Sequence, residues 1–202
     1  MINKIKSLAM ELKNEVIDIR RHLHQFPCLS FEEYETAQFI HALLDSWDIE
    51  HEFLTETGIV ATIQGRNPEK KTIALRADID ALPIQEKNDC QYKSAVDGVM
   101  HACGHDVHTA ILLGAAKTLS EMRDQLHGNV AVGFDFGTRE QLFSPQLIII
   151  PQDTVMRQGE GIITGLPQKR MIVVVLLGAA LGSHSRVAHD DTGISRDLEA
   201  HQ

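Results

Sequence analysis

Aromatic side chains are scarce in this chain: one tryptophan, two tyrosines and seven phenylalanines make up 5% of its 202 residues. A core must therefore be built from aliphatic side chains, and a hydrophobic content of 43% permits one. Cysteine is scarcer still. Cys28, Cys90 and Cys103 are an odd and sparse set of three, which argues against a disulfide framework and for a reduced, cytoplasmic protein. Positive charge is also short. Nineteen Lys and Arg face 28 Asp and Glu, a net charge of −9, which argues against nucleic acid and anionic membranes as partners. No apolar run reaches the roughly 20 residues of a membrane span. The run 171–181 is shorter and reads as a buried strand, or a strand plus a turn. Met1 to Lys13 is amphipathic and charged, with no apolar stretch of the secretory kind.

What is present parses best in the first two thirds. Ile5, Leu8, Leu12, Val16, Ile19 and Leu23 recur at steps of three and four, the period of a one-faced helix, which Pro27 stops. Ser30 and Glu33 have capping-box spacing for a second helix running to about Trp47, with Ala37, Ile40, Leu43 and Leu44 on its apolar face. Short strands are expected near Ile49–Leu54, Ile59–Ile63, Thr72–Leu75 and Val130–Phe134, and a helix from Ala110 to about Met122. Helices alternating with strands predict an α/β layered sheet. The length favours one domain, at most with an appendage.

The chemistry concentrates in residues 99–109, Val-Met-His-Ala-Cys-Gly-His-Asp-Val-His-Thr. His101, Cys103, His105 and His108 place a thiol and three imidazoles within a few residues, beside Asp106. Thiolate and neutral imidazole are ligands of zinc and its first-row neighbours. Gly104 lets the backbone turn without a Cβ clash, so that Cys103 and His105 can face one ion. Such residues also meet without purpose in cores and on surfaces, and two ligands do not close a site that needs three or four. Asp78 and Asp80, after the third strand, read either as turn acids or as carboxylates that orient a ligand. His22 and His24 read as surface or helix-end histidines, and Cys28 and Cys90 as ordinary thiols. His184, His189, Asp190 and Asp191 near the end of the chain read as part of an exposed polar tail.

Three segments in order, Arg20 to Glu33, Leu75 to Ile84 and Met100 to Ala116, resemble the aminoacylase-like metallo-amidohydrolases, the family of hippurate hydrolases, N-acyl-amino-acid amidohydrolases and auxin-conjugate hydrolases. The resemblance implies a layered sheet with flanking helices. Residues 1–130 would be the N-terminal part of a zinc-peptidase catalytic domain, and residues 131–202 a divergent or truncated tail. It implies a metal-dependent hydrolase that cleaves the amide bond of N-acyl amino acids or related small amides. Zinc, manganese or cobalt would be bound by Cys103 and His105, with Asp78 orienting the site. A small-molecule substrate is the implied partner, and a second copy of the chain is admissible. The family's paired glutamates, one a base and one a metal ligand, have no counterpart after Phe134. Only Glu140 lies near, one position late. Either the chain diverges after Gly133 or the reading frame changes there. The alternative is therefore a catalytically inactive fragment of such an enzyme, at most a metal-binding or interaction protein.

Overall fold

A computed structural model describes residues 1–135 and 171–176. The first apolar stripe folds as two helices in near-continuity, α1 (Ile2–Glu11) and α2 (Lys13–Gln25), with Leu12 between them still in the right-handed helical region. The stripe sinks as it proceeds: Ile5 to Val16 are half-buried, while Ile19 and Leu23 are core residues. α3 (Tyr34–Ser46) buries Ala37, Ile40 and Leu44, as its periodicity requires.

The expected capping box does not form. Ser30 donates its hydroxyl to Asp80 instead, at 2.7 Å, and α3 starts after Glu33 with no side-chain cap. Glu33 is wholly buried and accepts from the Phe31 N–H and the Thr57 hydroxyl. Burial outweighs those bonds and pushes its carboxyl above the ordinary range.

Strands β1 (His51–Phe53), β2 (Ile59–Ile63), β3 (Thr72–Ala77), β4 (Asn129–Phe134) and β5 (Met171–Leu176) form one sheet in the order β1-β2-β4-β3-β5. β1–β2 and β2–β4 pair antiparallel, whereas β3 is parallel to both β4 and β5. The first half of the apolar run is β5, which pairs with β3. β4 is buried at every residue, the pattern of a strand covered on both faces.

The parallel β3–β4 pair needs a crossover. It is supplied by the loop 78–104 and α4 (His105–Ser120), followed by a single 3-10 turn at Arg123–Gln125. α4 packs against α2, β2, β3 and β4. Register aligns Ile59, Ala61 and Ile63 with Phe134, Val132 and Val130. These six join Ile19, Leu23, Ile40, Leu44, Leu112 and Leu113 in one hydrophobic cluster. Among the described residues, no helix is long and apolar enough to cross a membrane.

Candidate metal and amidohydrolase site

The Cys/His loop lies at the carboxyl end of β3, where open α/β sheets place their ligand crevices. Backbone bonds fix it there. Leu82 and Met100 exchange two hydrogen bonds of 3.0 Å, which bring the segment Met100–Gly104 back to the strand end. Ala81 donates to the Cys28 carbonyl at 2.8 Å, and the Thr109 hydroxyl donates to the Asp78 carbonyl at 3.1 Å. Gly104 adopts φ +87°, ψ 16° as the residue before α4. That left-handed turn is the one anticipated between Cys103 and His105.

His105 is held in one orientation. Its Nδ1 donates to the Asp80 carboxylate at 2.8 Å and to the Asp80 carbonyl at 3.0 Å. Both partners are acceptors, so Nδ1 carries the proton and a neutral ring keeps its lone pair on Nε2, the atom left for an ion. Burial works against a charged ring. Asp80 overcomes it and holds His105 above the ordinary histidine value. Cys103 is a free, half-buried thiol, pushed up by burial and by the charges of Asp80 and Asp78. That shift applies to the ion-free thiol; a cation would reverse it.

Asp78 was expected to orient the site, and the structure puts Asp80 there. Asp78 faces Arg76 at 2.9 Å, and Arg76 also donates to Asp135 at 2.6 Å. Both follow β3, and it is the second whose carboxylate and carbonyl meet the His105 ring at the start of α4, while the first pairs with Arg76. Glu140, the other expected catalytic residue, lies outside the described residues. Among the described residues, no third histidine, cysteine or carboxylate completes a trio of ligands with Cys103 and His105.

A second polar group beside the site was missed from the sequence. His24 is not a surface residue: it is 4% exposed. Its Nδ1 meets Asp106 at 2.7 Å and its Nε2 meets Glu86 at 3.0 Å. Arg20 Nε lies 2.9 Å from the same Asp106 oxygen, close enough to pair charges but not aimed as a hydrogen bond. Burial pushes Glu86 up, but the Ser94 N–H, His24 and the Asn88 amide together outweigh it and bring its carboxyl down to about 2.

His101 is also buried, and neither ring nitrogen has a partner among the described residues. Burial lowers its pKa to about 4 and keeps it neutral. The signal that could have found this group is the Arg20–His24 spacing of four, which puts both side chains on one face of α2. Nothing local names Glu86 as their partner. His22, by contrast, is half-buried and stacks on Phe39 at 3.9 Å between ring centroids.

The donor set suits a divalent ion: a thiol, and an imidazole whose other nitrogen is bound to a carboxylate. Comparison with known proteins agrees with this chemistry. The model of peptidase family M20/M25/M40 matches residues 74–137. The N-acyl-L-amino acid amidohydrolase of Geobacillus stearothermophilus is 48% identical over 141 residues, 69% of this chain and 37% of that protein. The N-acetyl-L-cysteine deacetylase of Bacillus subtilis is 52% identical over 124 residues, 61% of this chain and 30% of that one. The crystal structure of the Bacillus subtilis YXEP protein, described as a dinuclear metal binding peptidase from the M20 family, superposes with a TM-score of 0.60 at 45% identity. It covers 62% of this chain and 35% of that one. Human carnosine dipeptidase 1, at 13% identity and a TM-score of 0.53, shares the fold alone. The chain thus spans about a third of the length of the relatives it matches. With the three ordered motifs and the shared sheet, these matches show that the N-terminal part of this chain is similar to peptidase family M20/M25/M40 and to relatives named as N-acyl-amino-acid amidohydrolases.

Proposed function

We propose that this chain is the N-terminal part of a metal-dependent amidohydrolase acting on N-acyl amino acids or related small amides. The observation that carries the reading is His105, whose Nδ1 is bound to Asp80 at 2.8 Å, leaving Nε2 for an ion, with the free thiol of Cys103 two residues before it in the same loop. Cys103 and His105 would hold a zinc, manganese or cobalt ion. A bound ion would supply Lewis acidity toward an amide carbonyl and lower the pKa of its water. The chain's own part is to present the two ligands from a strand end and a helix start, with Asp80 fixing one of them. The reduced thiols and the acidic balance support a cytoplasmic setting, with a small amide as partner.

Metal analysis of the purified full chain against Cys103→Ala/His105→Ala tests the reading. Bound ion in the wild type and its loss in the double variant is the expected result. Equal metal content in both would refute it.

One observation favours a second reading, a catalytically inactive fragment. The sequence after Phe134 has no pair of glutamates, so a base and a carboxylate ligand are both lacking from the positions where they are expected.

A further inference from the structure

His41, Asp45 and His51 lie away from the Cys/His loop and have no part in the chemistry above. His41 and Asp45 are four residues apart in α3, on one face of its last turns. His51 opens β1, the edge strand. Through the sheet, His51 aligns with Ala61, Val132 and Leu75. It therefore sits level with the middle of β3 and three strand spacings to the side, roughly 14 Å.

The three side chains converge. His41 Nδ1 is 2.7 Å from His51 Nε2. Asp45 is 3.5 Å from His41 Nε2 and 3.8 Å from His51 Nε2. Donor atoms around a tetrahedral zinc with bonds of about 2.0–2.1 Å lie about 3.3 Å apart; the 2.7 Å contact is a hydrogen bond between the rings that an ion would replace, and the contacts to Asp45 use the other His41 nitrogen and either carboxylate oxygen. One ligand atom from each residue falls within 4.8 Å of the other two.

The His51 tautomer is set by the backbone. Its Nδ1 lies 2.7 Å from the Ile49 carbonyl, an acceptor only. Nδ1 must donate, so a neutral His51 presents a lone pair on Nε2 to the other two residues. This arrangement, a ring whose far nitrogen is bound to a carbonyl, is how proteins orient metal-binding histidines. His51 is the buried base of the group, its side chain 6% exposed, while Asp45 at 64% forms an open mouth for ion entry. The carbonyl end of α3 adds negative potential at the same place.

We propose that His41, Asp45 and His51 form a divalent-metal site separate from Cys103 and His105, for a borderline transition ion such as Zn2+, bracing the end of α3 against the edge strand. Two imidazoles and one carboxylate suit that class, whereas Mg2+ and Ca2+ prefer oxygen alone.

The test uses the full chain carrying Cys103→Ala/His105→Ala, so that it reads this site whether or not the first exists. The chain has 11 histidines, so stoichiometry is joined to a residue-specific readout. Zn2+ is titrated calorimetrically while long-range 1H–15N spectra follow the histidine rings, with Mg2+ as control. Saturable Zn2+ binding is expected, with the His51 Nε2 and His41 resonances moving together and no response to Mg2+. Added Asp45→Asn, at an exposed position, and His41→Gln should each weaken binding by at least about tenfold, the lower end of what a group that only orients a ligand contributes. A His51 Nε2 resonance unmoved at saturating Zn2+, or undiminished affinity in folded Asp45→Asn, would overturn the proposal.

Discussion

Asp80 carries more than its sequence suggests. One carboxylate oxygen takes the His105 Nδ1–H and the other the Ser30 hydroxyl, and the residue is 3% exposed. It ties the second turn of the chain to the site and fixes the ring that would ligate the ion. Asp78 pairs with Arg76 and makes no hydrogen bond to His105, reaching the ring only through its charge. The two aspartates should therefore separate cleanly in a metal titration. Asp80→Asn is expected to weaken binding at Cys103/His105 by about 10–100-fold, the usual loss when a ligand's orienting partner goes. Asp78→Asn should change it by much less. Calorimetric affinities for Zn2+ in the two variants, read against wild type, decide the matter. An equal loss in both would return the orienting role to Asp78.

At the scale of elements, α4 is fitted tightly to α2. Gly114 lies where a Cβ would come 2.7 Å from Val16 Cγ2, a branched and stiff side chain. Alanine there raises helix propensity by about 1 kcal/mol, but overpacking costs about 1–3 kcal/mol, so Gly114→Ala should destabilise on balance. Val16→Ala in the same chain should recover part of the loss. Urea melts of the single and double variants check both signs, and a stabilised Gly114→Ala would show that the helices can part.

This contact also marks what the sequence could and could not tell. The stripe from Ile5 to Leu23, the apolar face of α3 and the run into β3 were legible because each follows a local period. Gly104 was legible because only one kind of turn suits that place. The Ser30–Glu33 pair misled because the same residue types serve a cap or a distant carboxylate, and Asp80, 50 residues on, won the hydroxyl. His24 was misread for the same reason. Its partners Glu86 and Asp106 lie 62 and 82 residues away, and no local pattern carries that information.

The whole molecule should respond to acid through that missed network. Glu86 is 2% exposed and its carboxyl is brought down to about 2 from the ordinary 4.5. A carboxylate depressed in the folded state adds stability above its unfolded pKa, and that stability drains away as pH falls through the folded one. The difference corresponds to about 3 kcal/mol, present above about pH 4.5 and lost progressively toward pH 2. Glu86→Gln should therefore be less stable than wild type at pH 6, with the gap narrowing as pH falls from 4.5. Melts of both chains across that range test it; a gap independent of pH would mean that Glu86 acts through packing rather than charge.

The same carboxylates bear on turnover by the chain as a whole. A general base contributes about 10²–10⁴-fold to hydrolysis, and it must be free to take a proton from water. Near the strand ends, every described aspartate is already engaged: Asp80 by His105 and Ser30, Asp78 and Asp135 by Arg76, and Asp106 by His24. Glu140 is the remaining acid near the expected position in the sequence, one position late, and it lies outside the described residues. We therefore expect very slow hydrolysis of N-acetyl- and N-benzoyl-amino acids by this chain alone, with zinc, manganese or cobalt added, and no further loss in Glu140→Gln. Release of the free amino acid, measured beside metal content, separates the outcomes. Metal bound with negligible turnover supports a ligand half-site without its base. Robust turnover that Glu140→Gln abolishes, with metal content and fold unchanged, would make Glu140 the base and the chain a working hydrolase.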